Sequence, residues 1–443
     1  MTLALEVLGW IIFLVGIGVS IGLHEIGHLV PAKAFGVKVT QYMIGFGPTI
    51  WSRNKGETEY GVKAIPLGGY IRMIGMYPPE KGTDGSTLRA STTGRFGTLI
   101  NDARQQSMDE IAPEDANRVF YKLPVFKRIV IMMGGPVMNL VLAFIFFSIV
   151  IAGIGTPHIT NTIGQVVPCA PTVSQPSGAA DTSGGCTGSS QTPAAAGGLK
   201  AGDTIISFDG KPVSSWTDAQ AAIQDATPGS VPMVVDRHGS HIALTVPMAT
   251  IDVPVYDAQG KPTGKTQARN FLGVSPGIAR QAESITTVPA FMWDTSKRAV
   301  STIVTLPARL WDLTRQTFTS ETRDPNGIVG PVGVGRITGE MVALQNTPVL
   351  DKVAGVLGLL AGLNLFLFLF NLIPLLPLDG GHVAGAIWES IKRGWARLRH
   401  LPDPGPVDIA KALPLTYAMS ILLMAMGAVV LLADLVKPIT LGG

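Results

Sequence analysis

His24 and His28 stand four residues apart, with Glu25 beside the first of them, in the segment His24-Glu25-Ile26-Gly27-His28. On an α-helix, residues four apart differ by about 40° in azimuth and about 6 Å in height. Both imidazoles therefore leave from one face and can share one metal ion. Glu25 sits next to that face without being a ligand, placed to take a proton from a metal-bound water. Catalytic zinc takes three protein ligands and keeps a further position open, so a third ligand is required, and no suitable residue follows closely on the same helix. The setting sharpens this reading. The run from Leu8 to Val30 is otherwise almost free of charge. A charged group at the centre of such a run costs about 2.5–3.5 kcal/mol even on the mild insertion scale. Polar groups retained there face a protein interior or a wet cavity; the bland alternative is a polar contact between helices.

The third ligand is sought in Asn371-Leu372-Ile373-Pro374-Leu375-Leu376-Pro377-Leu378-Asp379-Gly380. Pro374 and Pro377 deny a continuous helix. Irregular backbone at membrane depth is tolerated where it is buried in protein or lines a wet cavity. Asp379 and His382 are both candidates. Asp379 is favoured because the Pro-bounded turn fixes it, and because His158, His238 and His241 fall on the other side of the membrane by the charge pattern below. Against it stands the plain role of a turn or cap residue. Asn139, Asn364 and Asn371 lie within apolar runs, where such residues commonly join helices by hydrogen bonds. Asn371, close to Asp379, is the one placed to touch a substrate.

Elements able to hold these groups follow from composition. The 443 residues are 46% hydrophobic and 15% charged, with a mean hydropathy of +0.34. Soluble chains carry about 25% charged residues, so a membrane protein is expected. Four runs suffice to cross a bilayer, which takes about 20 apolar residues each: 8–30, 129–154, 353–372 and 415–436. The first reads as a span and not as a cleaved leader, because Glu6 is the sole charge before it and the metal motif lies inside it. A net charge of +3 gives no reason to expect nucleic acid as a partner.

Lys33, Lys38, Lys122, Lys127 and Arg128 flank the ends of the first two runs, and Lys392, Arg393, Arg397, Arg399 and Lys411 lie between the last two. The positive-inside rule puts these loops in the cytoplasm. Both termini and the long segment 156–349 then lie outside. Cys169 and Cys186 fall in that outer segment, where a disulfide is allowed and would contribute about 3 kcal/mol by the loop-entropy argument; two free thiols are the alternative.

Between the spans, 39–74 is rich in β-branched and aromatic residues and punctuated by Gly45-Phe46-Gly47-Pro48, Asn54-Lys55-Gly56 and Leu67-Gly68-Gly69. This predicts short strands and turns at or in the membrane. Residues 77–121 are polar, and 168–198 is a Ser/Thr/Gly/Pro/Ala tract that reads as a flexible insertion. Strands flank Asp209-Gly210, a short helix covers 216–226, and further strands cover 231–235 and 242–246. An amphipathic helix is expected over Ala299–Thr314.

In this order, His24–His28, Gly45-Phe46-Gly47 with Ile65-Pro66-Leu67-Gly68-Gly69-Tyr70, Gly134-Gly135-Pro136-Val137-Met138-Asn139, Gly198-Leu199-Lys200-Ala201-Gly202-Asp203 and the 371–382 segment resemble the site-2 protease family, the intramembrane zinc metalloproteases, in its bacterial PDZ-containing subgroup. The resemblance implies that His24, His28 and Asp379 bind Zn2+, that Glu25 is the catalytic base, and that Asn371 and the Gly45, Phe46, Gly47 turn contact substrate. It implies a polytopic α-helical membrane protein with four transmembrane helices, a membrane-associated β-hairpin region and an extracytoplasmic α/β PDZ-like domain. The layout is then 1–38 first span, 39–76 β region, 77–126 cytoplasmic loop, 127–157 second span, and 158–278 PDZ-like domain with the Cys-containing insertion 168–198. The chain continues with 279–349 amphipathic connection, 350–382 third span and zinc segment, 383–411 cytoplasmic loop, and 412–443 fourth span.

Expected substrates are single-pass membrane proteins such as trimmed anti-sigma factors, and signal-peptide remnants, cut within the bacterial cytoplasmic membrane. The PDZ-like domain would exclude substrates that still carry bulky outer domains. A metal transporter is the other class considered; it predicts polar residues strung along several spans, whereas here they cluster at one depth. A proteolytically dead scaffold would have no use for Glu25.

Overall fold

The structure, a computed structural model, describes residues 2–79, 95–170, 186, 190–248, 250–256, 262–345 and 347–440. The chain forms two units, one from 1–153 with 284–443 and one from 154–283.

In the first unit, helix α1 (Thr2–Ala34) leads into strands β1 (Val39–Lys55) and β2 (Thr58–Met73), followed by α2 (Arg95–Asp109) and α3 (Val125–Ser148), which continues as a wider-wound turn to Ile154. Four helical stretches among the described residues are long and apolar enough to cross a membrane: Leu3–Ala34, Val125–Ile154, Val349–Asn371 and Ile409–Val436. Two long strands replace the several short ones expected. They fold back on themselves, so that Tyr42 has Tyr60 on one side and Ile71 on the other. Gly45 (φ +91°) and Gly47 (φ +84°) make the bend possible, because left-handed backbone is costly for residues with a Cβ. The outer end of this sheet exposes Phe46, Ile50, Trp51 and Ile65. Its inner end packs with α1 and α3 through Leu29, Ala32, Val39, Tyr42, Met73, Ile131 and Met132. Part of the expected 77–126 loop, residues 80–94, lies outside the described residues.

The second unit holds β3 (Thr156–Val166), α4 (Pro193–Ala196), β4 (Thr204–Phe208), β5 (Lys211–Pro212), α5 (Trp216–Asp225), β6 (Gly229–Arg237), β7 (Ser240–Met248), β8 (Thr250–Tyr256), β9 (Pro262–Asn270) and β10 (Val274–Gln281). An antiparallel sheet runs in the order β10-β3-β4-β6-β7, with β5 on β4, and β8 and β9 pair apart from it. Asp209 and Gly210 both take positive φ at the β4–β5 turn. Helix α5 starts from a reciprocal cap between Ser215 and Asp218 and covers a core of Ile163, Ile205, Phe208, Met233, Val235 and Val246. Cys169 and Cys186 are joined as a disulfide. Residues 171–185 and 187–189 of the expected insertion lie outside the described residues.

The first unit resumes with α6 (Val288–Val304), α7 (Leu306–Phe318), α8 (Pro331–Ala343), α9 (Val349–Asn371), α10 (Asp379–Leu398) and α11 (Leu413–Val436). The single amphipathic helix expected over Ala299–Thr314 is two helices. Pro307 has no N–H to offer the Ile303 carbonyl, so the ladder breaks at Thr305. Within the expected 383–411 loop most residues to Leu398 are helical, because α10 starts at the metal segment itself. Helix α1 packs on α3 and α8, and α3 packs on α9 and α10.

Candidate metal centre

Helices α1 and α3 cross at their backbones. A Cβ on Gly27 would lie 2.2 Å from the Gly134 carbonyl oxygen, and one on Gly134 would lie 1.9 Å from that of Gly27. Small residues permit this approach, which brings the last third of α1 against the middle of α3. His24 and His28 then face Gly135, where a Cβ would fall 2.2 Å from His28 Nε2 and 2.7 Å from His24 Nε2. Any side chain at 135 would occupy the ligand space.

The third arm arrives from α9. That helix ends at Asn371, and the Pro374–Pro377 stretch turns the chain back, with the Leu376–Pro377 peptide cis. Helix α10 restarts at Asp379. A Cβ on Gly380 would meet the Ile373 carbonyl oxygen at 2.3 Å, and one on Gly381 the Leu376 nitrogen at 2.6 Å. The two glycines thus let the turn close onto the helix start and hold Asp379 in place.

The ligand atoms converge. His24 Nε2 and His28 Nε2 are 3.3 Å apart, and each is 3.5 Å from Asp379 Oδ2. Tetrahedral zinc with bonds of about 2.0–2.1 Å separates its ligand atoms by about 3.3–3.4 Å, so the donor set fits that ion in both size and chemistry. The tautomer of His28 is fixed, since its Nδ1–H donates to the Ile131 carbonyl at 2.8 Å and leaves Nε2 as a lone pair. His24 Nδ1 lies 3.0 Å from the Asn139 side-chain amide. A His24 that offers Nε2 to a metal carries its proton on Nδ1 and needs an acceptor there. A half-turn of the Asn139 amide brings Oδ1, otherwise buried without a partner, to that position.

Glu25 is buried beside the cluster. A Cβ on Gly69 of β2 would lie 3.0 Å from Glu25 Cγ, and the carboxyl faces the backbone of Ile71. The β2 stretch 69–73 pairs with β1 through 39–44 and runs past the base. Tyr42 of β1 ties the sheet to α1 by donating to the Gly22 carbonyl at 2.7 Å.

His382 stays outside the ligand cluster, half-buried one turn beyond Asp379, its Nδ1 enclosed with no hydrogen-bond partner among the described residues. Gly45, Phe46 and Gly47 are not part of the ligand cluster. Phe46 stacks on Tyr70 and lies against Gly68, so the turn reaches the centre through the 68–70 stretch. Asn371 closes α9, half-buried, ahead of the Pro-rich turn. Asn364 joins α9 to α1 by donating to Ser20 Oγ at 3.0 Å.

Gly135 and Asn139 were not singled out as site residues from sequence. The available signal was their spacing of four within an apolar run, which places a gap and an amide on one helix face.

The chain matches the Peptidase family M50 profile over residues 12–400. It is 32% identical over 447 residues to zinc metalloprotease Rip1 of Mycobacterium tuberculosis strain H37Rv, covering 98% of this chain and 99% of that one. Rip1 of Mycolicibacterium smegmatis is 31% identical, with 98% of each chain covered. The regulator of sigma-W protease RasP of Bacillus subtilis is 27% identical, over 86% of this chain and 90% of RasP.

Proposed function

The chain belongs to peptidase family M50, the site-2 proteases, and from that premise we propose an intramembrane zinc endopeptidase that cuts the transmembrane segments of single-pass membrane proteins. The observation that carries this reading is the approach of His24, His28 and Asp379 to within one ion's reach beside Glu25. Zn2+, held by those three side chains, supplies Lewis acidity and a water activated near neutral pH.

Glu25 takes the proton from the attacking water and returns it to the leaving amine. Ile131 and Asn139 keep the two imidazoles aimed by engaging their Nδ1 atoms. An intact substrate helix hides its peptide bonds, and each backbone group freed in hydrocarbon costs several kcal/mol. The 69–73 edge of β2 answers that cost by adding the unwound segment as a further strand, past Glu25. Asn371 and the Gly45-Phe46-Gly47 turn are assigned to substrate contact on the same route.

Basic residues at 33, 38, 122, 127 and 392–411 favour an orientation in the bacterial cytoplasmic membrane with both termini outside. The 154–283 unit, read as PDZ-like from its GLKAGD segment and mixed α/β make-up, is then extracytoplasmic. The name of RasP, a regulator of sigma-W, supports substrates of the trimmed anti-sigma-factor type, with signal-peptide remnants as a second group.

Purified protein in detergent, assayed for zinc per chain and for cleavage of a model transmembrane peptide, tests this. Glu25→Gln should keep its zinc and lose about 10²–10⁴-fold in rate. Wild-type cleavage by that variant would end the protease reading.

A further inference from the structure

Helix α10 is built inside out. Toward the protein it turns Ala386, Ala396 and Glu389, the last 0% exposed. The Glu389 carboxylate pairs with Arg128 of α3 and with Arg393 at 3.1 Å, and accepts from the Val407 N–H at 2.9 Å. Outward it turns Ile387, Trp388, Ile391, Trp395 and Leu398, between 46% and 74% exposed. These five positions form one stripe at helical spacing. A helix facing water shows the reverse distribution, and a contiguous apolar stripe of this kind marks a contact surface.

The rim of the stripe is basic. The Lys392 ammonium lies 5.7 Å over the Trp388 ring, the Arg399 guanidinium lies 4.6 Å over that of Trp395, and Arg397 is exposed. Beyond Asp379 the single acidic residue of the helix is Glu389, which is buried and paired. Tryptophan with lysine and arginine is the composition of a membrane–water boundary, the rings among the upper acyl chains and the cations reaching to headgroups. Helix α10 also follows, through a short turn, the end of α9, which is long and apolar enough to cross a membrane.

We propose that the outward face of α10 is a seat for the anionic phospholipid headgroups of the bilayer, and that this seat steadies the helix whose first residue is Asp379. The proposal rests on reading α9 and α11 as spans. The buried Glu389–Arg128 pair fastens the middle of α10 to α3, the helix that carries Gly135 and Asn139. Tilting of the outer half of α10 is therefore passed to its N-terminal carboxylate.

Full-length protein in nanodiscs of phosphatidylcholine, with or without phosphatidylglycerol, decides the matter. Tryptophan emission lost on Trp388→Phe/Trp395→Phe is expected to be quenched by chain-brominated lipid. Co-purifying phosphatidylglycerol, counted by mass spectrometry, should fall about fivefold for each charge removed among Lys392→Gln, Arg397→Gln and Arg399→Gln at low salt. A chelator should strip zinc faster in pure phosphatidylcholine, and the charge variants should be stripped equally fast in both lipids. A Val15→Trp variant on the exposed face of α1 serves as the depth standard. Quenching at position 15 without quenching at 388 and 395 overturns the seat and leaves the spans standing. No quenching at any of them overturns both. Crosslinking of this face to a second copy, or lipid-independent zinc loss, also overturns the proposal.

Discussion

Asn139 and Gly135 define the centre as tightly as the ligands do. Asn139 presents its amide to His24 Nδ1, and residues that orient a ligating histidine typically contribute 10–100-fold in metal affinity. Asn139→Leu keeps the volume but removes the acceptor. Chelator competition should show zinc affinity reduced by about 10–100-fold, with Asn139→Asp, which restores an acceptor oxygen, recovering most of it. Equal affinity in the Leu variant would mean that His24 is oriented by packing alone.

At the scale of elements, the proposed mechanism gives the β2 edge the task of presenting a hydrocarbon-buried peptide bond. Ile71 stands opposite Tyr42 of β1 and its backbone N–H is turned to Glu25, so a proline there removes the donor that points away from β1. Ile71→Pro should retain zinc and cut cleavage by more than about tenfold, on the argument that strand addition depends on main-chain hydrogen bonds. Normal turnover would remove strand addition from the mechanism. In the 154–283 unit, Asp203 links a loop to β6: Arg237 donates to it at 2.7 and 2.8 Å, and the Lys200 N–H donates at 2.8 Å. Burial raises the Asp203 carboxyl, but these hydrogen bonds outweigh that and hold it below its ordinary value. The ionised form is thus favoured in the folded state. Its stabilising effect is present above the unfolded value of about 3.9 and is lost as pH falls through the lower folded one. Thermal melts followed by near-UV circular dichroism should be flat near pH 5–7 and fall below about pH 4, with a shallower fall in Asp203→Asn.

For the whole molecule, the division into two units leaves the site to one of them. The three candidate metal ligands, the base and the strand edge all belong to 1–153 with 284–443. If the 154–283 unit filters substrates by size, deleting 158–278 should raise cleavage of substrates that still carry their outer domains and leave trimmed ones unchanged. An unchanged ratio between the two would assign that unit another role.

The four apolar runs, the paired imidazoles with Glu25, and the carboxylate beyond two prolines could be read from the chain because each rests on local composition or fixed spacing. Hydrocarbon thickness sets the length of a span, helix pitch brings His24 over His28, and proline forbids the helical bond that would have carried Asp379 away from the turn. What surrounds these groups was not legible. That Gly135 clears the ligand space, that Asn139 meets His24, and that Glu389 fastens α10 to α3 all depend on where separate helices cross. A crossing depends on backbone approach at Gly27 and Gly134 and not on any one segment's own preferences. Likewise the outward stripe of α10 emerges only when neighbours decide which face is covered, whereas the break at Thr305 was legible in Pro307. Spacing along one element names a site's donors; packing between elements decides which of them share an ion.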